Sequence, residues 1–447
     1  MTDTAQQQKK TLLMTEGSIW KSILLFSVPL ILGNLLQQLY NTADSIIVGN
    51  FLGSNALAAV GSSGSPIYLL IGFSQGVAVG AGVVVSQYLG AKDKKETRIA
   101  VHTSLAIAAI LGLILTVGGI AVSRTLLVWM NTPDEVLGDA VTYMKLYFGG
   151  VLFSVIYNMA AGILNAAGNS RRSVLYLACA SITNIILDLV FIAGLKMGVA
   201  GAAIATDISQ LVSCVLSLRF LMKVDADYKV ELSSVRPDKR MTSRIIRIGL
   251  PTGIQSMVIN LSNALLQSSV NSFGSVAMAG YTAANNIFGF LYAAANSITQ
   301  ACMSFTSQNY GAGNKERIRR GTKESFAIST AFSLVISALV FAFAAPLMQI
   351  FVSSAETAVI ASGVRYLRIE GAFYFGIGCL FLLYGYYRAI KRAEMSVVLT
   401  VISLGIRVLL AYVLSATFLG ETGIWMAIPI GWILADLTGL LYMRKTW

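Results

Sequence analysis

Four polar side chains at similar depths of long apolar segments could together bind a small cation. Asn184 and Asp188 are four residues apart in ITNIILDLVFIAG, so they share one face of a helix. Asp44 lies in the apolar stretch PLILGNLLQQLYNTADSIIVG, and Thr206 lies early in another apolar segment. These hard oxygen ligands suit Na⁺, or one or two protons if the carboxylates are desolvated and repel each other. The alternative is that each group only hydrogen-bonds a neighbouring helix.

The stretch that carries Asp44 begins with Pro29. At a rise of ~1.5 Å per residue, the two residues are ~22 Å apart along a helix, which is most of the depth of a bilayer. A proline removes one backbone hydrogen bond and weakens the helix locally, so Pro29 is a candidate bending point. In the alternative interpretation, Asp44 ends the span at the outer interface and Pro29 is an ordinary membrane proline.

The composition indicates an integral membrane protein. Of 447 residues, 55% are hydrophobic and 12% are charged, with a mean hydropathy of +0.70. Soluble domains carry about 25% charged residues. The four cysteines fall within apolar stretches, so we expect no disulfides. A single histidine, His102, cannot form a multi-histidine metal site, and we expect no cofactor.

Apolar runs and helix breakers predict twelve membrane-spanning helices in an all-α protein. Alternating ten-residue segments typical of barrel strands are not seen, which favours helices. The predicted spans are 17–45, 54–88, 96–122, 134–158, 172–194, 199–222, 243–270, 276–308, 321–345, 358–386, 396–418 and 422–443.

The distribution of lysine and arginine predicts the orientation of these spans. The first seventeen residues are polar and lack a signal-peptide core, so the amino terminus should be cytoplasmic. The loops that would then be cytoplasmic hold most of the basic residues, whereas the outer loops hold only Arg124 and Lys196. This positive-inside pattern predicts that both termini are cytoplasmic. We expect the protein to lie in the plasma membrane. The net charge of +12 is therefore explained by the orientation of the spans in the membrane, and nucleic acid is not an expected partner.

The chain divides into two similar halves. After a cytoplasmic tail (1–16), we expect a six-helix lobe (17–222), a polar linker (223–242) and a second six-helix lobe (243–447). Motifs recur about 221–223 residues apart, in loops as well as in spans: NFLGSNALAA and NSFGSVAMAG, QYLGA and QNYGA, and Pro29 and Pro251. An even number of spans in each half makes the repeat parallel. Transporters with such repeats bind substrate between their halves and alternate access to the two sides.

These motifs resemble the multidrug and toxic compound extrusion (MATE) transporters over essentially the whole chain. The resemblance rests on Pro29 with Asp44, the QYLGA loop, NAAGNS before the fifth span, Asn184-xxx-Asp188 and GVAGAAIAT up to Thr206. It implies two pseudo-symmetric six-helix lobes and the export of amphipathic, often cationic organic compounds in exchange for H⁺ or Na⁺. In the DinF-like branch, with its coupling site in the amino-terminal lobe, the matching residues are Asp44, Tyr143, Asn184, Asp188 and Thr206. The branch also implies bending at Pro29.

One departure from the family concerns the carboxy-terminal half. A second branch carries acids on spans 7 and 10, but 251–273 contains none here. The half offers instead Arg407, the repeat equivalent of Asn184, and Glu370, one turn from Tyr366. A buried arginine needs a partner, so we expect a Glu370–Arg407 ion pair. It would either line a substrate cavity or only lock two spans together.

Other functions fit less well. A lipid-linked precursor flippase of the same superfamily remains the main alternative, although such flippases often have added spans and arginine-rich cavities. A major-facilitator transporter would carry a different loop signature after its second span. A channel would need a selectivity filter, and an enzyme would need a nucleophile–base pair or a metal cluster, so we expect neither. We expect a monomer in the lipid bilayer that acts on a small organic molecule, and the choice between H⁺ and Na⁺ stays open.

Overall fold

The computed structural model describes residues 13–446, without the side chains of Ser54, Ser65 and Thr446. Most of the expected cytoplasmic tail thus lies outside the described residues. Within 13–446 the chain forms one 3₁₀ turn, Leu232–Ser234, and twelve long helical segments: α1 Ile19–Leu52, α2 Ser54–Gly90, α3 Lys94–Trp129, α4 Asp134–Ala166, α5 Ser170–Gly194, α6 Val199–Lys223, α7 Lys239–Asn271, α8 Ser275–Gly311, α9 Lys315–Gln349, α10 Thr357–Ala372 with Tyr374–Ala389, α11 Ala393–Ser415 and α12 Glu421–Thr446.

Four of these segments depart from a regular, straight helix, and one of them is α9, which is kinked at Phe343. The two parts of α10 meet at Phe373 with a bend of 53°, although the sequence predicted one continuous span there. The last residues of α5, Leu189–Gly194, and the middle of α11, Val401–Gly405, are π-helical. Short π-helical segments often occur at functional sites because they turn nearby side chains away from their regular positions.

Length and composition make most of the described helices suitable for crossing a membrane. Among residues 13–446, nine single helices qualify, and the bent pair that forms α10 would be a tenth. Helices α7 and α8 are also long, at 33 and 37 residues, but contain more polar residues. Large apolar side chains such as Val117 (69% exposed) and Leu409 (63% exposed) face outward, as expected for surfaces in lipid.

The chain forms two compact units. Among the described residues, the first unit comprises 13–16, Val28–Gly253 and Ser307–Gly313, and the second comprises Gly17–Ser27, Ile254–Thr306 and 314–446. One division between the units falls between Ser27 and Val28, next to Pro29, and another falls just after Gly253, close to Pro251. Both divisions thus lie within helices and near repeat-related prolines. The expected lobe boundaries, 17–222 and 243–447, stay a prediction.

Local backbone conformations repeat between the two halves of the sequence. Gly53 has φ +86° and Gly274, 221 residues later, has φ +90°. Both are in the left-handed region, which glycine adopts without steric cost. The side chain of Asp93 accepts a hydrogen bond from the main-chain N–H of Glu96 at the start of α3. Asn314 caps α9 in the same way, 221 residues further on. The repeat therefore includes the turns and caps that separate the helices.

The polar linker between α6 and α7 is fixed to α3 within the first unit. The His102 ring accepts a hydrogen bond from the main-chain N–H of Glu231 at 2.9 Å, with its other nitrogen 2.7 Å from the carbonyl of Arg98. Arg240 forms an ion pair with Glu96, in which Nη2 donates to both carboxylate oxygens at 2.5 and 2.7 Å. The single histidine thus has a structural role, because it links the linker to α3.

Candidate functional site

Helices α1 and α5 bring two carboxylates together in the first unit. The carboxyl groups of Asp44 and Asp188 lie within hydrogen-bonding reach of each other. Asp188 is fully buried, at 0% exposure, and comes directly before the π-helical end of α5. One oxygen of each carboxylate, Oδ1, has no hydrogen-bond partner. Each of the two neighbouring carboxylates therefore has an acceptor atom that could bind a proton or a cation.

An amide and a hydroxyl complete the polar part of the site. With its amide nitrogen towards Asp188, the buried Asn184 donates to Asp188 Oδ2 at 2.8 Å. The amide oxygen then accepts from the main-chain N–H of Thr206 at 3.2 Å, which joins α5 to α6. The Thr206 hydroxyl donates to the carbonyl of Ala202 at 3.1 Å, and its oxygen can also act as a ligand.

Tyrosines surround the carboxylates. Tyr143 on α4 is 7% exposed and close to Asp44. Tyr40, one turn before Asp44 on α1, lies beside Thr206 and near both carboxylates. Tyr68 on α2 is also near Asp44 and is 62% exposed. The site thus combines a buried polar centre with an aromatic margin that is partly accessible.

The five residues expected at the coupling site are therefore neighbours in the structure. Within 13–446, no lysine, arginine or histidine forms an ion pair with Asp44 or Asp188. Two close carboxylates without a basic partner repel each other unless a proton or a cation lies between them. Their partnerless oxygens, the Asn184 amide and the Thr206 hydroxyl are the hard donors that Na⁺ prefers. The residues present thus fit either coupling ion, and their role stays a prediction.

Pro29 lies inside α1, which continues as a helix through it. Because proline has no N–H, the carbonyl four residues earlier lacks its helical partner. The division between the two compact units falls just before this residue. The structure thus places Pro29 where α1 passes from one unit to the other, and bending at this position stays a prediction.

Glu370 and Arg407 do not form the expected ion pair. Glu370, 1% exposed, accepts a hydrogen bond from the Tyr292 hydroxyl and lies against Tyr366. Arg407, 7% exposed, donates instead to Ser262 Oγ at 2.6 Å and Asn263 Oδ1 at 3.0 Å on α7. The expectation of a direct pair was wrong, because each charged group forms its hydrogen bonds with neutral neighbours. Within 13–446, Glu370 Oε2 and Arg407 Nε have no hydrogen-bond partner. Both lie in the second unit, close enough for a longer-range attraction.

The sequence interpretation missed three residues around the first-unit site: Tyr40, Tyr68 and Asp207. Asp207 follows Thr206 on α6 and packs against α4 at Gly150. A carboxylate within a predicted span was itself a signal for Asp207. The spacing of four residues from Asp44 was a signal for Tyr40. Tyr68 had no comparable signal, because tyrosine is common near membrane interfaces.

Comparison with known proteins identifies the family. A family model described as MatE matches residues 29–190 and again residues 251–413. The two matches begin at Pro29 and Pro251, so they confirm the internal repeat. A Bacillus subtilis protein described as "Probable multidrug resistance protein YpnP" is 30% identical over 435 residues, covering 96% of each chain.

Solved structures agree with this relationship. A multidrug resistance MATE family transporter of the MOP superfamily, in its outward-facing conformation, superposes with a TM-score of 0.92 at 28% identity, over 98% of each chain. A MATE protein in the bent conformation gives a TM-score of 0.90 at 28% identity, over 97% of this chain and 96% of the other. These findings confirm the predicted all-α, MATE-like membrane fold. The repeated match over more than half of its length shows that the chain belongs to the MatE family.

Proposed function

We propose that the chain is a secondary active antiporter. It exports amphipathic, cationic organic compounds in exchange for H⁺ or Na⁺ by alternating access. The observation that carries this proposal is the Asp44–Asp188 pair, with a partnerless oxygen on each carboxylate. Occupation by a cation would relieve the repulsion between the two groups, so ion binding can favour one conformation over another. The description of YpnP as a multidrug resistance protein supports an organic substrate.

The proposed roles follow from the positions of the residues. Asp44 and Asp188 bind the coupling ion, while Asn184 and Thr206 orient them or supply further oxygen ligands. Tyr143 closes the site from α4. Pro29 is the proposed bending point of α1. Transport rather than a chemical reaction is the activity, and we expect a plasma-membrane monomer with both termini cytoplasmic.

The multidrug descriptions of the relatives favour a drug exporter over a lipid-linked precursor flippase. The second unit is consistent with this preference. Its deeply buried Arg407 already donates to Ser262 and Asn263, so it does not resemble an open cluster of arginines for a pyrophosphate group.

Reconstitution tests the proposal directly. Purified protein in proteoliposomes loaded with ethidium should release the dye faster under an imposed Na⁺ gradient or an imposed pH gradient, and slowly with neither. The gradient that accelerates release identifies the coupling ion. Asp188→Asn should remove the acceleration, whereas Asp225→Asn, an exposed carboxylate in the linker, should retain it. Dye release at the same rate with and without both gradients would refute coupled transport.

A further inference from the structure

Helix α6 of the first unit carries a carboxylate, Asp207, that is not part of the Asp44–Asp188 pair. Asp207 follows Thr206 on α6, so it points about 100° away around the helix. It is partly exposed, and no lysine, arginine or histidine among residues 13–446 forms an ion pair with it. A carboxylate within a membrane span is costly, which makes an unpaired one a candidate for function.

Gly150 on α4 provides the space in which this carboxylate lies. A Cβ atom built on Gly150 would be 2.2 Å from both Cγ and Oδ1 of Asp207, and a main-chain hydrogen bond from Gly150 holds the group. Any larger residue at position 150 would displace the carboxylate. The preceding residue, Gly149, differs in this respect, because a Cβ there would meet no atom within 4 Å.

Two tyrosines of α4 lie in the neighbourhood of the carboxylate. Tyr147, one turn before Gly150 on α4, is close to Asp207 and also to Tyr40 and Tyr68. The ring centroids of Tyr143 and Tyr147 are 6.2 Å apart. Aromatic faces with one carboxylate are a common way to recognise an organic cation, because the rings contact its apolar parts and also attract its charge.

We propose that Asp207 binds the cationic group of the exported compound, with Tyr147 packing against it. This inference rests on the proposed function and names the residue that selects for positive charge. The coupling ion would bind at Asp44 and Asp188, on the side of α6 that carries Thr206. The compound would bind on the side that faces α4. Tyr147 lies near both Asp44 and Asp207, so the two sites are neighbours without sharing a carboxylate.

Binding measurements with a matched pair of probes test the assignment. Tetraphenylphosphonium carries a permanent positive charge and no proton, whereas triphenylphosphine oxide shares three phenyl groups and is neutral. Isothermal titration on the purified full-length protein would compare wild type with Asp207→Asn, Gly150→Ala and Gly149→Ala.

Asp207→Asn should weaken tetraphenylphosphonium binding at least about tenfold, equivalent to about 1.4 kcal/mol, because a unit charge in contact with the ligand is lost. Gly150→Ala keeps the charge but displaces the carboxylate, so it should weaken binding in the same direction. Gly149→Ala should bind as wild type does. Binding of the neutral probe should be the same in all four proteins.

Unchanged tetraphenylphosphonium affinity in either Asp207→Asn or Gly150→Ala would overturn the assignment. An equal loss for both probes would do so too, because it would indicate a general distortion of the site. If Asp207→Asn fails to fold, the difference in tetraphenylphosphonium affinity between Gly150→Ala and Gly149→Ala tests the assignment. Ion-driven dye release by the wild type is a separate measurement, so failure of the proposed function and failure of this assignment are distinguishable.

Discussion

A glycine-to-alanine change at the end of α2 tests the closest helix approach in the first unit. A Cβ on Gly90 would lie 1.9 Å from the carbonyl oxygen of Gln308, and one on Gly311 would lie 1.8 Å from that of Gln87. The arrangement is reciprocal, with each glycine against the glutamine carbonyl of the other motif. The two sequences QYLGA and QNYGA therefore repeat because each requires a glycine at this crossing.

The cost of Gly90→Ala follows from what the new methyl group would meet. Ordinary van der Waals contacts begin near 3.4 Å, so the carbonyl oxygen of Gln308 must move by more than an ångström. This oxygen belongs to the main chain, which has no rotamer to change. Gln308 is held further, because its side chain donates to the carbonyl of Ala166 and accepts from the N–H of Met14. Overpacking of this kind costs about 1–3 kcal/mol, which shifts a two-state equilibrium about 5- to 150-fold.

Thermal unfolding of the purified protein in detergent would measure this effect. We expect the midpoint of Gly90→Ala to fall by several degrees, since about 1 kcal/mol corresponds to about 2–4 °C for a domain of about 200 residues. Gly118→Ala is the matched control, because a Cβ there meets nothing within 4 Å. Its midpoint should stay level or rise, as alanine favours helix over glycine. A midpoint for Gly90→Ala at or above that of the wild type would refute the close approach.

Three further predictions concern the charged groups and the proline. Replacing Asp44 or Asp188 by asparagine should abolish ion-driven efflux with little loss of expression; full transport by both variants would exclude a shared ion site. Pro29→Ala should slow transport more than it weakens ion binding, because it restores a backbone bond without touching a ligand; a wild-type transport rate would remove bending at this position from the cycle. Replacing Glu370 and Arg407 by glutamine, singly and together, should give nearly additive losses of unfolding free energy, within about 0.5 kcal/mol, because their closest partners differ. A coupling well above that value would indicate an ion pair that the structure does not form.

The helices and the repeat could be predicted because the signals that define them are local. The length of an apolar run predicts a membrane-spanning helix. Gly53 forms the turn before α2, and Asp93 caps the start of α3. The predicted positions of the helix ends were less accurate. A capping residue that lies outside the apolar run extends the helix beyond that run. The sequence predicted 96–122 for α3, but the helix begins at Lys94, beside its Asp93 cap, and ends at Trp129.

The break in α10 had only a weak local signal, Gly371, because single glycines are tolerated within helices. Phe373 is neither proline nor glycine, and the apolar run continues through it. The residues on either side of the break pack elsewhere in the second unit. Glu370 accepts from Tyr292, and Tyr374 donates to the carbonyl of Leu291. Both partners lie on α8. The bend therefore depends on tertiary contacts, which the sequence of α10 alone does not indicate.

The unequal charges of the two halves explain why one coupling site is expected rather than two. In the first half, Asp188 on α5 faces Asp44 on α1, so the fifth and first helices of the repeat meet through acceptors that attract a cation. In the second half, Arg407 on α11 reaches Ser262 and Asn263 on α7, so the corresponding helices meet through a cation that the chain itself supplies. A guanidinium at this position satisfies the neighbouring oxygens and repels a second positive ion. The repeat identified Arg407 as the equivalent of Asn184, but sequence depth alone could not show that neutral oxygens of α7 lie closer to it than Glu370.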